Sequence, residues 1–109
     1  MVEYALNLDN IFASLADGTR RDILSRITLG EMTVGEIAKP YNMSLAAVSK
    51  HLKVLERACL IIKQRKGKEQ VVSLSPLALK EAGDYIKFYT SFWENNLEML
   101  DKYLTEGQE

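Results

Sequence analysis

The fold class this sequence predicts is mainly α-helical with one small β-hairpin, and three observations predict it. Apolar residues recur at spacings of three and four along most of the chain. Glycine, proline and capping residues punctuate those stretches where helices must start and stop. One pair of short apolar runs, on either side of Lys66-Gly67-Lys68, breaks the helical pattern.

The elements follow in order. Tyr4 to about Ala16 is expected to be helical, because Leu8, Ile11, Phe12 and Leu15 fall at i, i+3, i+4 and i+7. Asp17-Gly18 interrupts the pattern, and Asp17 can cap a second helix running to about Leu29. Ile23, Leu24 and Ile27 would face inward, and Gly30 stops that helix. Thr33-Val34-Gly35-Glu36 has the form of a capping box, in which the first and fourth residues each satisfy an orphan backbone N–H. The short helix it opens must end near Lys39, since Pro40 disfavours helical geometry before it.

Ser44 caps a fourth helix to about Ala58, with Met43 and Val48 placed for a hydrophobic staple. Leu45, Val48, Leu52 and Leu55 are its expected buried stripe. Ile61 to Arg65 and Gln70 to Leu74 are the hairpin strands, with Gly67 available for a positive φ. Ser75-Pro76 is a cap-then-proline start for a last helix to about Leu104.

Composition bounds the function. With 109 residues, no repeats and no linker, residues 1–109 are expected to form one domain. No apolar run approaches the roughly 20 residues that span a bilayer, so no membrane partner is expected. The N-terminus lacks a signal-peptide layout, and the one cysteine, Cys59, cannot make an internal disulfide; both point to the cytoplasm. One histidine and one cysteine leave little for a soft-metal site, and Glu94, Glu98 and Asp101 read as a solvated face. No phosphate loop or nucleophile–base set appears, so neither enzyme activity nor a cofactor is expected.

Charge is unevenly spread. The net value is −1, yet residues 44–68 carry Lys50, Lys53, Arg57, Lys63, Arg65, Lys66 and Lys68 against Glu56 alone. Acidic residues outnumber basic ones on both sides of that block. Local potential, not total charge, governs attraction to phosphate.

A short helix, a turn of about four residues and a second helix is helix-turn-helix spacing, here over residues 33–58. The hairpin over residues 61–74 would be its wing. On a helical wheel Ala46, Lys50, Lys53 and Arg57 oppose the leucine stripe, with Ala47 beside them. Small residues at a helix N-terminus allow close approach to base edges. Ser44 and Ser49 can donate to phosphate or bases, and Lys50 can reach guanine acceptors. Arg65, Lys66 and Lys68 at the hairpin tip suit phosphate or the minor groove. Double-stranded DNA is therefore the expected partner, and a winged-helix module that binds protein instead is the alternative.

The stretches Leu15-Ala16-Asp17-Gly18-Thr19-Arg20-Arg21-Asp22-Ile23-Leu24 and Met43-Ser44-Leu45-Ala46-Ala47-Val48-Ser49-Lys50-His51-Leu52-Lys53-Val54-Leu55-Glu56-Arg57-Ala58 resemble the ArsR family of bacterial winged-helix repressors. The resemblance implies a dimeric regulator, usually a repressor released by a signal. Carried over residue by residue, it puts Ser44, Ala46, Ala47, Ser49, Lys50 and His51 on the recognition-helix surface, and Arg65, Lys66 and Lys68 on the wing. Two departures stand out. The family's metal-sensing cysteines are missing from Thr33–Lys39, and no histidine follows His51, so no metal is expected. Cys59 stands where the family usually has glycine; a positive φ there costs roughly 1 kcal/mol, so another cap geometry is expected.

The last helix carries an apolar surplus: Ile86, Tyr89, Trp93, Leu97, Leu100 and Leu104, widened by Tyr85, Phe88, Phe92, Met99 and Tyr103. A domain this small cannot cover both sides of a helix about 40 Å long. With Leu8 and Phe12 of the first helix, that surface is the expected homodimer interface. No effector is named by the residues.

Overall fold

Capping chemistry sets most of the helix boundaries in the computed structural model, which describes residues 6–106. The order is α1 (Leu8–Leu15), α2 (Gly18–Thr28), β1 (Met32–Thr33), α3 (Val34–Ala38), α4 (Leu45–Arg57), β2 (Ile61–Lys66), β3 (Glu69–Leu74) and α5 (Pro76–Glu106). Asn7 is extended and accepts the Asn10 N–H at 3.1 Å, so α1 begins at Leu8. The expected start at Tyr4 is therefore too early. Tyr4 itself lies outside the described residues, among which α1 spans 8 residues.

Asp17 caps α2 through the Arg20 N–H at 3.0 Å. Thr33 and Glu36 form the reciprocal capping box, both bonds at 3.1 Å. Ser44 caps α4 through the Ala47 N–H at 3.1 Å.

The end of α4 corrects an expectation. Cys59 adopts φ 61° despite its Cβ. Its N–H bonds Glu56 O and the Leu60 N–H bonds Leu55 O, each at 3.0 Å, which is the paired pattern of a Schellman cap. Leu55 and Leu60 are both fully buried, supplying the apolar contact that accompanies such caps. Two backbone bonds and that burial outweigh the roughly 1 kcal/mol strain of a non-glycine residue.

The sheet holds three antiparallel strands in the order β1-β3-β2, one more than the expected hairpin. β1 pairs Met32 with Val72 and Thr33 with Val71. β2 and β3 pair from Ile61↔Leu74 to Lys66↔Glu69, leaving Gly67 and Lys68 as the loop, with Gly67 at φ 64°.

One core ties these elements together. Ile11 of α1, Ile23 and Ile27 of α2, Ile37 of α3, Val48, Leu52 and Leu55 of α4, Leu60, Val72 of β3, and Ala78 and Ala82 of α5 cluster in it. Each fully buried leucine or isoleucine contributes about 1.5–3 kcal/mol. Leu45, expected in the stripe, is 60% exposed. It sits in the first turn of α4, one turn ahead of Val48, where the helix has run past the core.

α5 behaves differently along its length. Only Ala78 and Ala82 are buried, and residues 83–106 are all exposed. At 1.5 Å per residue its 31 residues make a rod of about 46 Å. That rod gives the molecule its long axis of 71 Å against 32 and 21 Å.

Candidate nucleic-acid interface

The second helix of the motif is held from behind by polar contacts that sequence reasoning missed. Arg26 of α2 donates to Ile37 O at 2.8 Å and to Glu36 O at 3.0 Å, tying α3 to α2. Its guanidinium also lies 5.3 Å from the Tyr41 ring centroid, and the Tyr41 hydroxyl donates to Asp22. Burial, and then the bond to Asp22, push the Tyr41 phenol above its ordinary range. The turn between α3 and α4 is thereby clamped on α2. The buried Ser14 of α1 donates to Val54 O of α4 at 3.4 Å, bracing α4 from the other side.

With Val48, Leu52 and Leu55 in the core, the opposite face of α4 is open. Ser44, Ala46, Ser49, Lys50, Lys53 and Arg57 are exposed, and Ala47 and His51 half-buried. Ser44, Ala46, Ala47, Ser49, Lys50 and Lys53 line one shallow depression of about 540 Å³. Its lining has small residues in the first turn and cations further along, a surface on which a helix can approach a polyanion closely.

His51 is held in place. Its Nδ1 lies 3.3 Å from Arg20 Nη1 and 3.8 Å from Asp17 Oδ2. The Arg20 backbone N–H, above all, holds the Asp17 carboxyl below its usual range, against the opposing effect of burial.

The hairpin tip is exposed from Gln64 to Gln70, so Arg65, Lys66 and Lys68 are accessible. Lys66 pairs with Glu31, just ahead of β1, at 2.9 Å, and Lys63 pairs with Glu56 at 3.4 Å. Part of the basic block is thus neutralised within the fold.

The expected interface residues Ile86, Tyr89, Trp93, Leu97, Leu100 and Leu104 are 47–60% exposed. Leu8 and Phe12 are instead half-buried against the core, and the Phe12 ring lies 5.8 Å from that of Tyr85. Among the described residues, no group of three His, Cys, Asp or Glu side chains could hold a metal ion. No helix among them is long and apolar enough to cross a membrane.

A helix-turn-helix with an exposed cationic face, followed by a two-stranded wing, defines a winged helix-turn-helix protein. A helix-turn-helix domain family matches residues 15–64. The transcriptional repressor SdpR of Bacillus subtilis is 33% identical over 90 residues, covering 83% of this chain and 100% of SdpR. The crystal structure of an ArsR family transcriptional regulator, RHA00566, superimposes with a TM-score of 0.76 at 32% identity, covering 80% of this chain and 96% of that one. The homodimeric winged helix-turn-helix DNA-binding domain of Mb0332 from Mycobacterium bovis gives a TM-score of 0.60 at 25% identity, covering 84% and 82%. The chain belongs to the ArsR family of winged helix-turn-helix transcriptional regulators, and it is not an enzyme.

Proposed function

We propose that this protein is a homodimeric, cytoplasmic repressor that binds an inverted-repeat DNA operator, with residues 1–109 working as one unit. The observation that carries the reading is the face of α4 opposite its buried stripe. There Ser44, Ala46, Ala47, Ser49, Lys50, His51, Lys53 and Arg57 line one side of a helix in helix-turn-helix register. In the proposed complex this face enters the major groove, and Arg65, Lys66 and Lys68 of the wing contact the backbone. Lys66 would exchange Glu31 for a phosphate.

Two copies associate through α5, with Leu8 and Phe12 at the margin. Two things support this, the uncovered apolar length of α5 and the homodimeric state of the Mycobacterium bovis relative, while the name of SdpR as a transcriptional repressor supports the repressor reading. Two-fold symmetry then sets half-sites roughly one helical turn apart. No metal or cofactor takes part.

The test is a salt titration of binding to random duplex, followed by selection of bound sequences from a random pool. A steep negative slope and an enriched inverted repeat are expected. A flat slope would instead mark a module that binds protein.

A further inference from the structure

We propose that the notch between the first turn of α2 and the middle of α4 seats one DNA backbone phosphate, and that Arg20 prepares it by fixing the tautomer of His51. The inference rests on the DNA-binding reading above and adds a residue from outside the helix-turn-helix.

Arg20, Ala47, Lys50, His51 and Val54 line an open depression of about 270 Å³. The Arg20 side chain is anchored, its Nε donating to Ser14 O at 2.8 Å and its Nη2 to Ala13 O at 3.2 Å. Both acceptors lie in the last turn of α1, whose carbonyl end favours a cation. That leaves Nη1 against His51 Nδ1 at 3.3 Å.

A guanidinium has donors and no acceptor, so the contact is favourable only when Nδ1 is bare. The ring proton of neutral His51 is then on Nε2. The other group facing Nδ1 is Asp17, at 3.8 Å, beyond hydrogen-bond reach and already engaged by the Arg20 N–H. Among the described residues Nε2 has no hydrogen-bond partner, and no buried side-chain nitrogen or oxygen lacks one. Nε2 therefore reaches solvent.

The residues that line the notch thus include His51, whose Nε2–H is open to solvent, the exposed Lys50 beside it in sequence, and Arg20, with N–H groups that the protein does not use. Ala47 contributes only a methyl group, which leaves room for close approach. Three donors, two of them charged, around a small concave space match the oxygens of one phosphodiester.

The experiment compares the full-length protein with His51→Gln and His51→Asn. A glutamine amide nitrogen can occupy the place of Nε2, whereas asparagine is too short. On random duplex at fixed salt, we expect Gln to bind within about twofold of the parent and Asn to lose about tenfold, with melting temperatures alike. On a selected operator with single methylphosphonate substitutions, one position per half-site should abolish the difference between parent and Asn. Imidazole 15N spectra of the free protein should show the Nε2–H form.

An Nδ1–H form, equal losses for Gln and Asn, or no phosphate position that absorbs the Asn effect would overturn the seat. A parent protein that does not bind duplex with a negative salt slope would instead overturn the DNA-binding reading itself.

Discussion

Up to Ala82 every helix of this protein hides at least one apolar side chain in the shared core, while from Gly83 to Glu106 none does. Both regions are rich in large apolar residues. The first spends them on itself: α4 buries Val48, Leu52 and Leu55 and keeps lysines outside. The second leaves Phe88 at 71%, Trp93 at 60% and Tyr103 at 74% exposure. Hydrophobicity at helical spacing therefore does not by itself mean a core within the same chain. What differs is whether the described fold brings a second surface to meet it, and for the distal half of α5 the proposed dimer would supply that surface.

The largest expected effect lies in the self-packed region. Leu52→Ala removes a fully buried side chain and should cost about 2–5 kcal/mol, read by denaturant unfolding at any protein concentration. Trp93→Ala should do the opposite in kind. It should leave unfolding of the isolated protomer nearly untouched and raise the dimer dissociation constant by at least about tenfold, roughly 1.4 kcal/mol, measured by sedimentation. A variant still dimeric at low micromolar concentration would show that Trp93 is not central to the contact. If it instead melted like Leu52→Ala, the distal helix would be packed within its own chain and the contrast would fail.

Lys50 and Lys66 sharpen the contrast within the first region. Lys50 lies on the open face of α4, and Lys66 near the wing tip beside Glu31. Lys50→Ala should cost about 1–3 kcal/mol on the operator, more than on random duplex, and relax preference at one position per half-site. Lys66→Ala should weaken both about equally and flatten the salt slope by about one. The reverse pattern would make the wing the reader of sequence.

The smallest effect is on acid stability. Asp17 and Glu36 are both held below the usual carboxylate range, Asp17 chiefly by the Arg20 N–H and Glu36 chiefly by the Thr33 N–H. Depressed carboxylates stabilise the fold at pH values above the ordinary range near 4, and that contribution disappears as pH falls through their folded values. The double variant Asp17→Asn, Glu36→Gln should thus lose less stability than the parent between pH 5 and 3. Parallel losses would mean that these caps carry none of the acid dependence.

Features written in short-range chemistry were legible in the sequence. The capping box of α3, the Ser44 cap and the glycine loop of the wing depend on residues within four positions of one another. The cationic face of α4 followed from the period of the helix alone. Features decided by distant neighbours were not. β1 is two residues long and exists because β3 lies beside it. Leu45 has the right phase for burial, but phase does not say where the core ends. The Arg20–His51 contact joins residues 31 positions apart, and nothing local announces it. Cys59 was expected to avoid positive φ because side-chain sterics were weighed without the Leu55–Leu60 burial that holds the cap.

Leu60 has a mechanical consequence. Its N–H is bonded to Leu55 O in α4, and its C=O accepts the Ser75 N–H immediately before α5, both at 3.0 Å. The wing strands also leave and return at this point, since Ile61 pairs with Leu74. One residue is thus the fulcrum shared by the recognition helix, the wing and a rod of about 46 Å. Leverage follows from the lengths: a tilt of about 5° at the fulcrum sweeps the far end of that rod through about 4 Å. Read backwards, in the proposed dimer an adjustment of several ångströms at the far end of that rod would correspond to a rotation of only a few degrees at Leu60.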